Sequence, residues 1–215
     1  MASLVDGLWN CSGLFYYQKQ IQKEMSYIYL ILVLVALLIF VVYNAVAIKI
    51  FGMPTSLSDT FYLYQSKKKG LGYIFSAMMY LMAGFLMPAW LSITDAMPGW
   101  EHNFTFLAFF AAAMIMFVGT APAFRNVGIE NKVHMICAKA CAVFAIAWCA
   151  IVCWRIMYII PIAIGLAWLT GYLLRNHTNE NRDWKRCSDY IWELAAFYAT
   201  FATVITQAII NLVTL

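Results

Sequence analysis

The sequence predicts an all-α, polytopic transmembrane helix bundle. It has six spans, both termini on the outer face, and a short amphipathic cytoplasmic helix after span one. Three observations carry this. Hydrophobic residues make up 64% of the 215 residues and charged residues 11%, against roughly 45–50% and about 25% in soluble domains. Six segments hold about 20 mainly apolar residues, the length that crosses a bilayer at a rise of about 1.5 Å per residue. The basic residues collect on alternate connections. Composition of this kind excludes a soluble enzyme, a nucleic-acid reader and a disordered tail.

The expected spans are 26–48, 71–94, 104–124, 133–154, 156–174 and 190–215, all within one membrane domain, 1–215. The stretch Tyr29–Phe40 is continuously apolar, whereas barrel strands alternate apolar and polar residues, so helices are expected throughout. Residues 1–24 hold Leu4, Leu8, Trp9, Phe15, Tyr16 and Tyr17 before the first basic residue, Lys19. They lack the layout of a cleaved signal peptide and are expected to lie along the interface, where Trp and Tyr are favoured.

After span one, Ser56 with Asp59 three residues on matches a helix capping box, and Leu57, Phe61 and Tyr64 fall on one face. Lys67, Lys68 and Lys69 suit the negative end of that helix, and Gly70 stops it. A surface helix over Ser56–Lys69 follows. In the fourth segment Cys137, Cys141, Ala145, Cys149 and Cys153 form an i±4 row of small residues, the kind of ridge that admits a close neighbour. That row marks the fourth segment as the expected centre of the bundle. A metal site on Cys137, Cys141 and His134 is the weaker alternative, because there is no CxxC pair and no second cluster. No metal and no cofactor is expected.

Thirteen of the 14 Lys and Arg lie in connections or ends. Lys49, Lys67, Lys68, Lys69, Arg125, Lys132, Arg175, Arg182, Lys185 and Arg186 share one side, leaving Lys19, Lys23 and Arg155 on the other. The first side is therefore cytoplasmic. An anionic inner leaflet accounts for the net charge of +4, each basic residue near it adding about 1 kcal/mol of attraction, and no nucleic acid need be invoked.

Ionisable residues inside spans are expensive and point to function. Lys139 lies about 9 Å, and Glu193 about 5 Å, into their helices from the cytoplasmic side. They are expected to pair, with His134, Arg125 and Asn44 at similar depth, in a polar cluster open to the cytoplasm. Snorkelling is the simpler alternative. Thr200, Thr203 and Gln207 share a stripe that either lines a path or packs against neighbours. Pro88, Pro122 and Pro161 each remove a backbone donor and can kink their helices. Nucleotide loops, HExxH and nucleophile elbows are absent from the sequence.

The stretches Phe51–Tyr64, Gly119–Arg125 and Val133–His134 resemble uncharacterised polytopic membrane proteins of gut Bacteroides-type bacteria and their phages. Gly119, Pro122 and His134 are also similar to the six-helix Frag1/DRAM-type families. The resemblance implies a bacterial or phage-encoded protein of the inner membrane and assigns no activity. Two functions follow as expectations. One is a small-solute or ion pathway, possible as a homo-oligomer because one small bundle leaves little room for a wide pore. The other is a membrane-embedded accessory or effector in bacterium–phage conflict, meeting a protein partner through its cytoplasmic loops. A lipid head-group enzyme acting at Asp59 is a weaker third.

Overall fold

The computed structural model describes residues 2–97, 99–122, 125, 128–152, 154 and 182–214. Among them the chain is helical and contains no strand. The helices are α1 (Ala2–Phe51), α2 (Thr60–Lys67), α3 (Tyr73–Asp95), α4 (Thr105–Thr120), α5 (Ile129–Val152) and α6 (Arg182–Thr214), with a 3-10 turn at Trp100–Phe104 before α4. Five of these segments are long and apolar enough to cross a membrane: Gln20–Phe51, Tyr73–Asp95, Trp100–Thr120, Ile129–Val152 and Asp189–Thr214. The expected span 156–174, with Pro161, lies outside the described residues.

Helix α1 runs unbroken for 50 residues, about 75 Å. Residues 2–24 therefore continue the helix of the span. Its core side is the stripe Val33, Ala36, Phe40, Tyr43 and Ala47, while Ile31, Leu34, Leu38 and Val42 are exposed. An outward apolar face of this extent is a surface for lipid. Gly52, at φ +74°, ends the helix, and its N–H donates to the Ile48 carbonyl. A left-handed residue here suits glycine and releases the chain into the connection.

Packing proceeds α1 on α3, α3 on α4 and α4 on α5, with α6 set against α1, α3 and α5. The fourth expected segment, α5, is not the central helix among the described residues. Half of the α3 span is buried but only 22% of the α5 span. The cause is that α3 inserts Met79, Met82, Ala83, Leu86 and Trp90 between its neighbours. The small-residue row of α5 does face inward at Cys137, Ala145 and Cys149, and Cys149 lies against Thr203 of α6. Cys153 lies outside the described residues.

At the α3–α4 contact, a Cβ on Gly119 would stand 2.8 Å from the Cβ of Met79. That approach requires glycine. The third span ends at Thr120, short of the expected Phe124, because a helix rarely continues through the residue before a proline and Pro122 follows directly. Pro88 sits inside an uninterrupted α3. Both Pro88 and Gly84, whose carbonyl loses its donor, are exposed on the outer face of the bundle, so no freed carbonyl points inward there.

Contacts fix the direction of each helix. Tyr43 and Asn44 of α1 meet Thr60 and Tyr190, and His134 of α5 meets Ser58. This is the loop end. At the far end Trp148 of α5 donates to Thr94 of α3, and Asn211 of α6 donates to the Ile93 carbonyl. Helices α3, α5 and α6 thus run one way and α1 the other.

Candidate functional site: a polar cluster around the connection after the first span

The connection Gly52–Gly72 does not lie on the surface as an amphipathic helix. Its helix starts at Thr60 rather than Ser56 and stops at Lys67. Leu57, Phe61 and Tyr64 do share a face, and that face is buried in the bundle core. Pro54, Asp59 and Thr60 are buried as well. Half of the expected capping box forms: the Asp59 N–H donates to Ser56 Oγ at 3.1 Å. The Asp59 carboxylate does not reach back. It accepts instead from Arg125, at 2.7 Å from Nη2 and 3.2 Å from Nε.

Side chains from every side converge on this connection. From α6, Glu193 Oε2 accepts the Leu57 N–H at 2.5 Å, and the Tyr190 N–H reaches the Thr55 carbonyl at 3.2 Å. From α5, His134 Nε2 lies 2.8 Å from Ser58 Oγ while Nδ1 lies 2.9 Å from the Ala121 carbonyl. A carbonyl only accepts, so Nδ1 carries a proton and the neutral ring takes the Ser58 hydroxyl proton at Nε2. From α1, the Tyr43 hydroxyl meets Thr60 Oγ1 at 2.5 Å, and Thr60 Oγ1 in turn bonds the Leu57 carbonyl. Asn44 donates to the Phe40 carbonyl and accepts the Tyr190 hydroxyl at 2.8 Å. After α4, the Arg125 N–H donates to the Tyr62 hydroxyl at 2.6 Å, and the guanidinium carbon sits 4.7 Å from the Tyr62 ring centroid. Tyr64, on α2 and outside the spans, has its phenol pKa raised by burial.

The sequence-derived cluster is therefore assembled in part. Glu193, His134, Arg125 and Asn44 come together, but around the connection and not around Lys139. Lys139 is exposed and has no ion-pair partner among the described residues. The expected Lys139–Glu193 pair does not form, because Lys139 points off the bundle while the Glu193 carboxyl takes a backbone N–H. Ser56 and Asp59, assigned to a separate surface helix, belong to this cluster. Lys67, Lys68 and Lys69 remain exposed beyond it, with Lys67 Nζ 5.9 Å from the Phe51 ring centroid.

Asp59 is 8% exposed and paired, so it is not open to a lipid head group. No group of three metal-ligating side chains occurs among the described residues, and both His134 nitrogens are engaged away from Cys137 and Cys141.

The α6 stripe forms bonds within its own helix. Thr200 and Thr203 donate to the carbonyls of Ala196 and Ala199, and Gln207 donates to Asn211. Thr203 and Gln207 are buried, and the geometry is that of packing. Sequence reasoning missed Ser58, Tyr43 and Tyr190. The signal for Tyr190 was its position three residues before Glu193, on the same helix face; Tyr43 adjoins Asn44. No family model, curated protein or solved structure matches the chain.

Proposed function

We propose that the chain is a six-span protein of a bacterial inner membrane that provides a small-solute or ion pathway. The connection Gly52–Gly72 covers its cytoplasmic mouth. The observation that carries this reading is the convergence of Glu193, His134 and Arg125 on one short connection. A carboxyl, an imidazole and a guanidinium stand together at one mouth, and an ionisable group within a span, such as Glu193, is costly enough to point to function. Here each is bonded to the same three-residue stretch, Leu57–Asp59.

Six spans are supported by connectivity. Helix α5 ends just beyond Trp148, which meets Thr94, and the apolar span of α6 begins at Asp189–Tyr190 beside Thr55, at the opposite end. The sequence between them contains one apolar stretch of span length, 156–174. The cytoplasmic assignment of the loop end, with both termini outside, is supported by Lys49, Lys67, Lys68, Lys69, Arg125 and Lys132, which all fall at that end. The bacterial setting is supported by the resemblance stated above.

Membrane potential tests the reading, followed with a voltage-sensitive dye in bacteria expressing wild type, Glu193→Gln or Glu193→Ala at equal membrane levels. Glu193→Ala removes the acceptor of the Leu57 N–H and is expected to depolarise cells more than wild type. Glu193→Gln keeps an acceptor and separates charge from tethering. Identical potentials in all three strains and in cells without the protein refute an ion path.

One observation favours a second reading. Three consecutive exposed lysines, Lys67–Lys69, follow a helix whose other face is buried. They suit an acidic protein partner or an anionic leaflet, as an accessory or effector in bacterium–phage conflict requires. Charge reversal of these three, with Glu193→Ala silent, would favour it.

A further inference from the structure

At the far end a half-open cleft of about 290 Å³ opens between α1, α3 and α6. This is near the lower bound of small-ligand pockets, about 300 Å³. Its polar lining is Gln22, Ser26 and Tyr29 from α1, Ser92 and Asp95 from α3, and Asn211 from α6. The Asp95 carboxylate is the charged side chain of that lining, and no lysine or arginine lines the cleft among the described residues. Helices α3 and α6 both end here, so the negative ends of two helix dipoles add to the carboxylate.

Oxygen acceptors face the same space. Ser26 Oγ spends its proton on the Gln22 carbonyl, which leaves its lone pairs for a ligand. Asn211 is held by two bonds, donating to Ile93 and accepting from Gln207, which places its carboxamide firmly at the cleft wall. A divalent metal would need more hard ligands than one carboxylate, and the described residues hold no group of three. A compact organic ammonium needs only the carboxylate, several oxygens and an aromatic surface such as Tyr29.

We propose that this cleft binds a small organic cation. Gln207 and Thr203 of α6 below it are packed into the bundle, so the cleft is a binding site in its own right and does not rest on the pathway reading.

The test uses the purified full chain in maltoside micelles, where both faces are reachable. Ser92→Cys is labelled with a trimethylammonium-bearing and a sulfonate-bearing methanethiosulfonate, and the background of the native cysteines is subtracted. Ser92 and Asp95 are three residues apart on one helix, about 5–6 Å between Cβ atoms. A unit charge at that distance in water favours the cationic over the anionic reagent by about tenfold. The cation-to-anion rate ratio at Ser92→Cys is expected to exceed that at exposed Asn103→Cys by about this factor. Asp95→Asn, an exposed position, should remove the excess. Millimolar choline or 1,4-diaminobutane should slow labelling at Ser92→Cys and not at Asn103→Cys.

Equal ratios at the two positions, a ratio indifferent to Asp95→Asn, absent labelling, or labelling that neither amine slows overturns the proposal. The dye assay with Glu193→Ala is read separately. Depolarisation there alongside a failed labelling result ends the cleft assignment and leaves the pathway standing.

Discussion

Arg125 and Asp59 form an ion pair whose two halves should respond unequally to removal. Nε and Nη2 of Arg125 both address one oxygen, Asp59 Oδ1, and the two side chains are 57% and 12% exposed. Asp59→Ala leaves a guanidinium that water already reaches, so its cost is that of an exposed pair, about 0.2–1 kcal/mol. Arg125→Ala leaves a carboxylate with little access to water. Stranding a fully buried charge costs about 3–5 kcal/mol, and water reaching this pair through the exposed arginine reduces that to about 2 kcal/mol. Loss of the Tyr62 ring contact adds about 0.5 kcal/mol. The double variant should recover part of the Arg125→Ala penalty, giving a coupling of about 1 kcal/mol, since the stranded charge is then gone. Reversible unfolding in mixed micelles, titrated with a denaturing detergent, measures all three. A penalty for Asp59→Ala equal to or above that for Arg125→Ala, or a coupling indistinguishable from zero, would refute the view that Asp59 is buried beneath its partner.

Gly119→Ala places a methyl 2.8 Å from the Met79 Cβ and should destabilise by about 1–3 kcal/mol. Gly84→Ala meets nothing within 4 Å and should stabilise by up to about 1 kcal/mol; the same unfolding titration compares the two. Thr203→Val removes a hydroxyl that donates to its own helix and meets the Cys149 thiol of α5, so stability should shift by less than about 1 kcal/mol and dye-reported potential should not change. A changed potential would make Thr203 part of the path. Asn211→Leu breaks a bond from α6 to the Ile93 carbonyl and strands Gln207. A loss of about 0.6–1.7 kcal/mol is expected, read as a lower denaturation midpoint.

Helix class and five of the six expected spans were legible because hydropathy over 20 residues is a local property. Depth was legible too: Glu193, His134 and Asn44 meet because each sits a short helical distance from the same end. Azimuth was not. Lys139 and His134 are five residues apart on α5, which at about 100° per residue turns them well away from each other, and only the packed helices tell which direction is inward. The row of small residues on α5 shows the reverse error. Its inward face was correctly marked by residue size, yet among the described residues the most covered helix is α3, whose large Met and Trp side chains fill the centre. The connection after α1 was read as a surface helix because its capping signature and amphipathic spacing are real. Those signals are indifferent to whether the apolar face meets lipid or a bundle.

Why the polar cluster sits at this connection follows from its backbone. Between Gly52 and Asp59 the chain is neither helix nor strand, so its amides and carbonyls lack the partners that a helix supplies internally. Irregular backbone at the edge of a membrane is tolerated only where protein or water satisfies those groups. Helix α6 provides two such partners, Glu193 for the Leu57 N–H and the Tyr190 N–H for the Thr55 carbonyl, and the connection provides a third from within, Ser56 Oγ for the Asp59 N–H. Side-chain ties at Ser58, Asp59 and Thr60 then join the segment to α5, Arg125 and α1. The same few bonds that satisfy the connection also satisfy the side chains of α1, α5 and α6 that reach it, so a substitution on either side leaves a polar group unpaired on the other.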